Sequence, residues 1–141
     1  VDGKNENQEQ QNLGHWSLKT DFVENAFGFV YEITNTKSGR KYIGKKQMRS
    51  VRKLKPLKGK KKNRRVEKET DWKTYTGSSN ELNNDIKEFG KDNFSFDILM
   101  FCNSKSHLTY EEIKLQLLKD VLLKEEYYNG IINCRLGKVK F

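Results

Sequence analysis

With 141 residues and a formal net charge of +9, the chain is one domain by length and can bury a modest core without disulfide or metal staples. Fifteen of its 28 Lys and Arg lie between Lys37 and Arg65 with no Asp or Glu among them, while the other thirteen face nineteen acidic residues, a balance of −6. A mildly acidic body with a concentrated cationic segment points to a polyanionic partner, most simply nucleic acid. Cys102 and Cys134 show no CxxC spacing, and His15 and His107 are isolated, which argues against a zinc site or a disulfide framework. No signal-peptide pattern or membrane-length apolar run is visible, so a soluble cytoplasmic protein is expected.

In chain order, the polar stretch from Val1 to about Asn12 reads as a mobile tail, and Trp16 and Phe22 read as anchors of a strap that packs on the body. Residues 1–26 together form this tail and strap. Phe27–Thr34 and Arg40–Gly44 read as two strands joined by a turn on Asn35, Ser38 and Gly39. The alternation of Phe27, Phe29, Tyr31 and Ile33 is that of a half-buried strand, and Gly39 supplies the positive φ of a tight turn. The basic insertion, residues 45–66, contains Pro56 and Gly59 and is predicted as a short helix near Met48–Leu54 followed by a basic loop. Ser78 with Glu81 has capping-box spacing and opens a helix carrying Leu82, Ile86 and Phe89, with Gly90 as its stop. Phe94–Ile98 alternates and runs on to Phe101 as a third strand. Thr109 with Glu112 predicts a second helix from Tyr110 to Leu123, with Ile113, Leu117, Leu118, Val121 and Leu122 as its apolar face. Tyr127-Tyr128-Asn129-Gly130 then turns into a short segment, Ile131–Leu136, and residues 137–141 are a C-terminal tail. The fold expected is α/β (α+β): a small three-stranded, mainly antiparallel sheet flanked by helices, occupying residues 27–136.

Val30-Tyr31 followed by Tyr42-Ile43-Gly44 on one hairpin resembles the GIY-YIG nuclease signature. The second motif is intact; in the first, Phe29 stands where the family has glycine and Gly28 lies one place early. Arg52, ten residues past Tyr42, Glu112 on the long helix and Tyr128-Asn129 after it fall where the family places an arginine, a metal-binding glutamate and a terminal Tyr-Asn. Asp71-Trp72-Lys73-Thr74-Tyr75 after the Lys-rich insertion looks most like the stand-alone Seg-type endonucleases of tailed phages.

The resemblance implies a phosphodiester hydrolase acting on DNA with Mg²⁺ or Mn²⁺, in the host cytoplasm if phage-encoded. By the same resemblance Tyr31 orients or deprotonates the attacking water beside Tyr42. Arg52 grips the scissile phosphate, Glu112 holds the metal, and Asn129 orients Glu112 or its bound water. A phenol titrating near about 10 needs neighbouring cations to act as a base, and Lys45, Lys46 and Arg52 are the candidates. Lys58, Lys60, Lys61, Lys62, Arg64 and Arg65, with Lys45, Lys46 and Arg49, are expected to give salt-dependent, sequence-neutral DNA affinity. Each assignment has a rival: Glu111 for Glu112, Arg49, Arg64 or Arg65 for Arg52, Asn133 for Asn129. One active site per chain implies nicking, with a homodimer or two events for double-strand cleavage. Two other readings stand beside the nuclease: a DNA-binding module without turnover, and an RNA-binding protein.

Overall fold

The alternating aromatic strand lies at the centre of the molecule. In the computed structural model, which describes residues 12–141, it is β2 (Gly28–Asn35), antiparallel both to β3 (Lys41–Gln47) and to the long strand Phe94–Cys102. The two-residue strand β1 (Ser17–Leu18) pairs in parallel with that long strand on its far side. The sheet therefore has four strands rather than the expected three, the extra one contributed by the strap. The expected mobile tail, apart from Asn12, lies outside the described residues.

The two faces of the sheet are covered differently. Phe29, Tyr31 and Ile33 face a cluster with Trp16, Trp72, Leu82, Phe94, Phe96 and Ile98, rich in edge-to-face aromatic pairs. Val30 and Ile43 face the opposite cluster, with Cys102, Leu108, Val121 and Tyr127. Helix α1 (Asn80–Phe89) contributes Leu82 to the first cluster, and helix α2 (Lys105–Leu118) contributes Leu108 to the second. Trp16 is 4% exposed, and its indole N–H donates to the Trp72 carbonyl at 2.5 Å.

Three local expectations fail for identifiable reasons. The basic insertion is not a helix and loop but a two-stranded antiparallel ribbon, β4 (Arg49–Leu54) with β5 (Arg64–Glu69), which forms a sheet of its own. Its residues carry no apolar helical stripe, Val51 and Val66 favour extended backbone, and Gly59 takes φ +85° in the connecting loop. With these two, Phe94–Cys102 becomes β6. Helix α1 is capped by Ser79, whose hydroxyl accepts from the Leu82 N–H, and not by Ser78. Helix α2 begins at Lys105, capped by Ser104 through the His107 N–H, so Thr109 is a buried interior residue rather than a cap. The buried face also differs from the expected one: Leu108, Thr109 and Gln116 face inward, leaving Leu117 and Leu118 at 60% and 69% exposure. The helix stops at Leu118, and Asp120 at φ 53° turns the chain. No helix among the described residues is long and apolar enough to cross a membrane.

Because Trp16 fills the centre of the aromatic cluster, Trp16→Ala should cost about 3–5 kcal/mol in urea unfolding. Phe89→Ala, at a side chain 41% exposed, should cost well under half of that.

Candidate active site

Tyr31 and Gly44 are directly opposed across β2 and β3, and Tyr42, opposite Ile33, is the diagonal neighbour on the same face. The missing side chain at Gly44 makes room for both rings. A Cβ there would lie 2.5 Å from the Tyr31 hydroxyl oxygen and 2.9 Å from Cε2 of Tyr42. Gly77, at φ +86°, closes the other side: a Cβ on it would sit 3.2 Å from the same hydroxyl and 3.1 Å from the same Tyr42 carbon. Two glycines from distant parts of the chain thus bring two phenols to one gap. Gly28, which the first motif places one position early, has its own constraint: a Cβ there would meet the Lys46 carbonyl oxygen at 2.5 Å. Phe29, at the motif's glycine position, is fully buried core.

Ser78, Tyr75 and Asp71, none of them expected as site residues, complete the tyrosine side together with Lys46. Ser78 Oγ, one residue before the helix cap, hydrogen-bonds the Tyr42 hydroxyl at 3.0 Å. Tyr75 stands edge-on to Tyr31 with ring centroids 6.2 Å apart. The Lys46 ammonium sits 4.1 Å above the Tyr75 ring and 2.8 Å from an Asp71 carboxylate oxygen. Burial, reinforced by Tyr42, Tyr75 and Glu112, holds the Tyr31 phenol well above its ordinary value.

Glu112 lies one turn before Gln116 on α2 and lines, with Tyr42, Lys45, Ser78 and Gln116, a cleft of about 190 Å³. Burial raises its carboxyl above the ordinary value, and Lys45, with Nζ 3.7 Å from Oε1, partly offsets that. Glu111, its sequence rival, points elsewhere and meets His107 at 3.6 Å. Among the described residues no three His, Cys, Asp or Glu side chains gather into a cage. A Mg²⁺ site does not require one, because this ion keeps several waters and takes one or two carboxylates plus substrate phosphate. A single recessed carboxylate at a polar cleft fits that demand, and Glu112 is the residue that would hold the ion.

Asn129 is placed differently from its expected role. Its side-chain oxygen accepts from the Ile43 N–H at 3.0 Å and its amide donates to the Ile43 carbonyl at 2.8 Å. Gln116 donates to the same carbonyl at 2.9 Å. Strand β3 is a sheet edge, and the segment before Asn129 already covers it: the Lys41 N–H donates to the Glu126 carbonyl, and the Tyr128 N–H to the Lys41 carbonyl. The Asn129 amide extends that ladder in place of a peptide group, fixing the strand between Tyr42 and Gly44. Tyr128 donates to Asp85 and accepts from Asn35, which ties the hairpin turn to α1.

Arg52 is not brought to this cleft. It lies on β4 opposite Val66, exposed, rather than at the start of a helix, because the segment that carries it is the ribbon. Arg49, Arg64 and Arg65 share the ribbon, and Lys58, Lys60, Lys61 and Lys62 lie in its loop, all exposed. The cations expected to depress a phenol are thus two lysines, each already beside a carboxylate.

A raised carboxyl at Glu112 means that the folded state resists its ionisation, so this residue favours folding below the ordinary value of 4.5 and loses that contribution as pH rises through its folded value. Glu112→Gln should therefore melt at a higher temperature than wild type at pH 8, and the difference should vanish below about pH 4. Thermal melts across that range check it. A destabilised Glu112→Gln at pH 8 would show that the Lys45 contact outweighs burial.

The family model described as "Putative endonuclease segE, GIY-YIG domain" matches residues 14–132. No curated protein and no solved structure matches the chain. The match begins before Trp16 and ends after Asn129, spanning both tyrosine strands, the ribbon and the glutamate helix, and the chain belongs to the SegE-type GIY-YIG endonuclease domain family.

Proposed function

We propose that the protein is a divalent-metal-dependent endonuclease that hydrolyses phosphodiester bonds in double-stranded DNA, one strand per active site. The observation that carries this reading is the meeting of the Tyr31 hydroxyl and the Tyr42 ring at Gly44 and Gly77, with Tyr42 also lining the cleft that holds Glu112. Hydrolysis needs an oriented water, relief of negative charge on the phosphate and stabilisation of the leaving oxygen. With its phenol held above the ordinary value, Tyr31 suits holding and aiming the water better than removing its proton. Tyr42, held by Ser78, borders the same gap and steadies the phosphate by a hydrogen bond. Lys45 and Lys46 exchange their carboxylate partners for phosphate oxygens and take the charge-relieving role expected of Arg52. A Mg²⁺ or Mn²⁺ on Glu112 would supply Lewis-acid stabilisation of the phosphate and the leaving oxygen. Asn129 acts through Ile43 as a positioning residue. The Seg-type kinship favours a phage-encoded enzyme working in the host cytoplasm, where paired nicks or a second copy would cut both strands.

Supercoiled plasmid incubated with wild type in Mg²⁺, Mn²⁺ or EDTA should be nicked only with metal. Glu112→Gln should lose at least about a hundredfold in rate while keeping DNA affinity, and Tyr31→Phe about tenfold to a hundredfold. Tight, salt-sensitive binding without nicking under any condition would leave a DNA-binding module in place of an enzyme.

A further inference from the structure

The cationic insertion was expected to be a short helix and a basic loop making sequence-neutral contacts with the phosphate backbone, but it folds as a ribbon with two unlike faces. Alternation along each strand and the pairing register place Ser50, Arg52 and Leu54 on one face with Lys68, Val66 and Arg64. That face carries three cations and no acid. The other face carries Arg49, Val51 and Lys53 with Glu69, Glu67 and Arg65. Its acids are engaged: Glu67 lies 3.8 Å from Arg49, while Glu69 accepts from the Trp72 indole at 2.9 Å and lies 3.5 Å from Lys73. Arg49 also reaches Asn25 at 3.4 Å, so this second face turns towards the body at its base. The ribbon root is fixed, with the Met48 N–H donating to the Phe27 carbonyl and Thr70 donating to the Gln47 and Met48 carbonyls.

Resting on the DNA-endonuclease reading, we infer that the ribbon β4–β5 is a recognition arm that enters the major groove of duplex DNA and reads bases with the face bearing Arg52, Arg64 and Lys68. A two-stranded ribbon is the width that this groove admits, and an arginine fork matches the O6 and N7 acceptors of guanine. Among the described residues Arg52 has no ion-pair partner, and Arg64 donates only its Nε–H, to the Lys55 carbonyl at 3.2 Å, leaving its outer nitrogens to face a base. The loop lysines at the tip, Lys58, Lys60, Lys61 and Lys62, supply the backbone attraction. Only Met48 separates β3 from β4, so the arm starts about 16 Å of extended chain from Gly44, at roughly 3.3 Å per residue. A duplex gripped by the arm is thereby presented to the tyrosine cleft at a fixed offset.

Two charge-matched triple variants test the asymmetry: Arg52→Ser/Arg64→Ser/Lys68→Ser on the reading face and Arg49→Ser/Lys53→Ser/Arg65→Ser on the other. Bound duplexes are selected from a randomised pool in EDTA, so the readout is binding and is independent of cleavage. Wild type and the second variant should recover one common motif with guanine N7 protected from methylation. The first variant should lose the motif and bind the selected duplex at least about tenfold more weakly, with non-specific affinity falling equally in both variants. Arg52→Lys/Arg64→Lys, which keeps the charge and the fold but not the forks, should keep non-specific affinity and lose the motif. No motif with wild type, loss of the motif in both triple variants alike, or tighter binding to duplex RNA would each overturn the arm. Failure of the plasmid assay with this motif intact would sink the nuclease and not the arm.

Discussion

The candidate site depends on one cross-strand relation, the placing of Tyr31 directly against a residue with no side chain. Strand pairing alone would put any residue at position 44 against the Tyr31 ring, and even a methyl group would collide with the phenol oxygen. With glycine there, the ring can lie over the neighbouring strand towards Tyr42 instead of standing away from it. The second glycine, Gly77, reaches the same spot from the loop before α1, and its left-handed backbone lets that loop pass close to both rings. The pair of tyrosines is therefore a property of the backbone geometry as much as of the phenols.

That geometry would be soft if β3 were a free edge, because an edge strand has only one neighbour to define its register. Here the exposed side of β3 is occupied by residues 126–129, first through main-chain bonds and then through the Asn129 amide at Ile43. Ile43 is the residue between Tyr42 and Gly44, so the bonds act where a shift would matter most. Gln116 reinforces the same carbonyl from the helix that carries Glu112. The tyrosine strand and the glutamate helix are thus fastened to each other by polar bonds to a single peptide, which sets the distance between the two halves of the site.

Much of this was legible in the sequence and some was not, for physical reasons. The hairpin, α1 and β6 announce themselves because each has one buried and one wetter side, so apolar residues recur at the period of the element. The ribbon is solvated on both faces, so its alternation separates one kind of charge pattern from another and leaves no trace in hydropathy. Helix α2 misleads in the opposite sense: its inward face includes Thr109, Glu112 and Gln116, the last two lining the cleft, while Leu117 and Leu118 lie outside. Polar function on a buried face displaces the apolar stripe, and the helix is then read from the wrong cap. Ser78 and Tyr75 carried no periodic signal at all, since they belong to a loop shaped around Tyr31 and Tyr42.

The placement of charge divides the work between the two parts of the molecule. At the cleft, Lys45 and Lys46 are each balanced by a nearby carboxylate, so the site presents little field to a distant polyanion. Interactions between charges decay over about 8 Å in physiological salt, which further confines the cleft cations to short-range action. The ribbon and its loop hold most of the unbalanced positive charge and stand clear of the core, with every Lys and Arg from Arg49 to Lys68 exposed. On the proposed reading, attraction and alignment of DNA belong to the ribbon, and the cleft lysines engage only when a phosphate is close enough to displace Glu112 and Asp71 from them. On the same reading, such an exchange would leave Glu112 without its cation as a phosphate arrives, the condition under which a divalent ion would gain most from binding there.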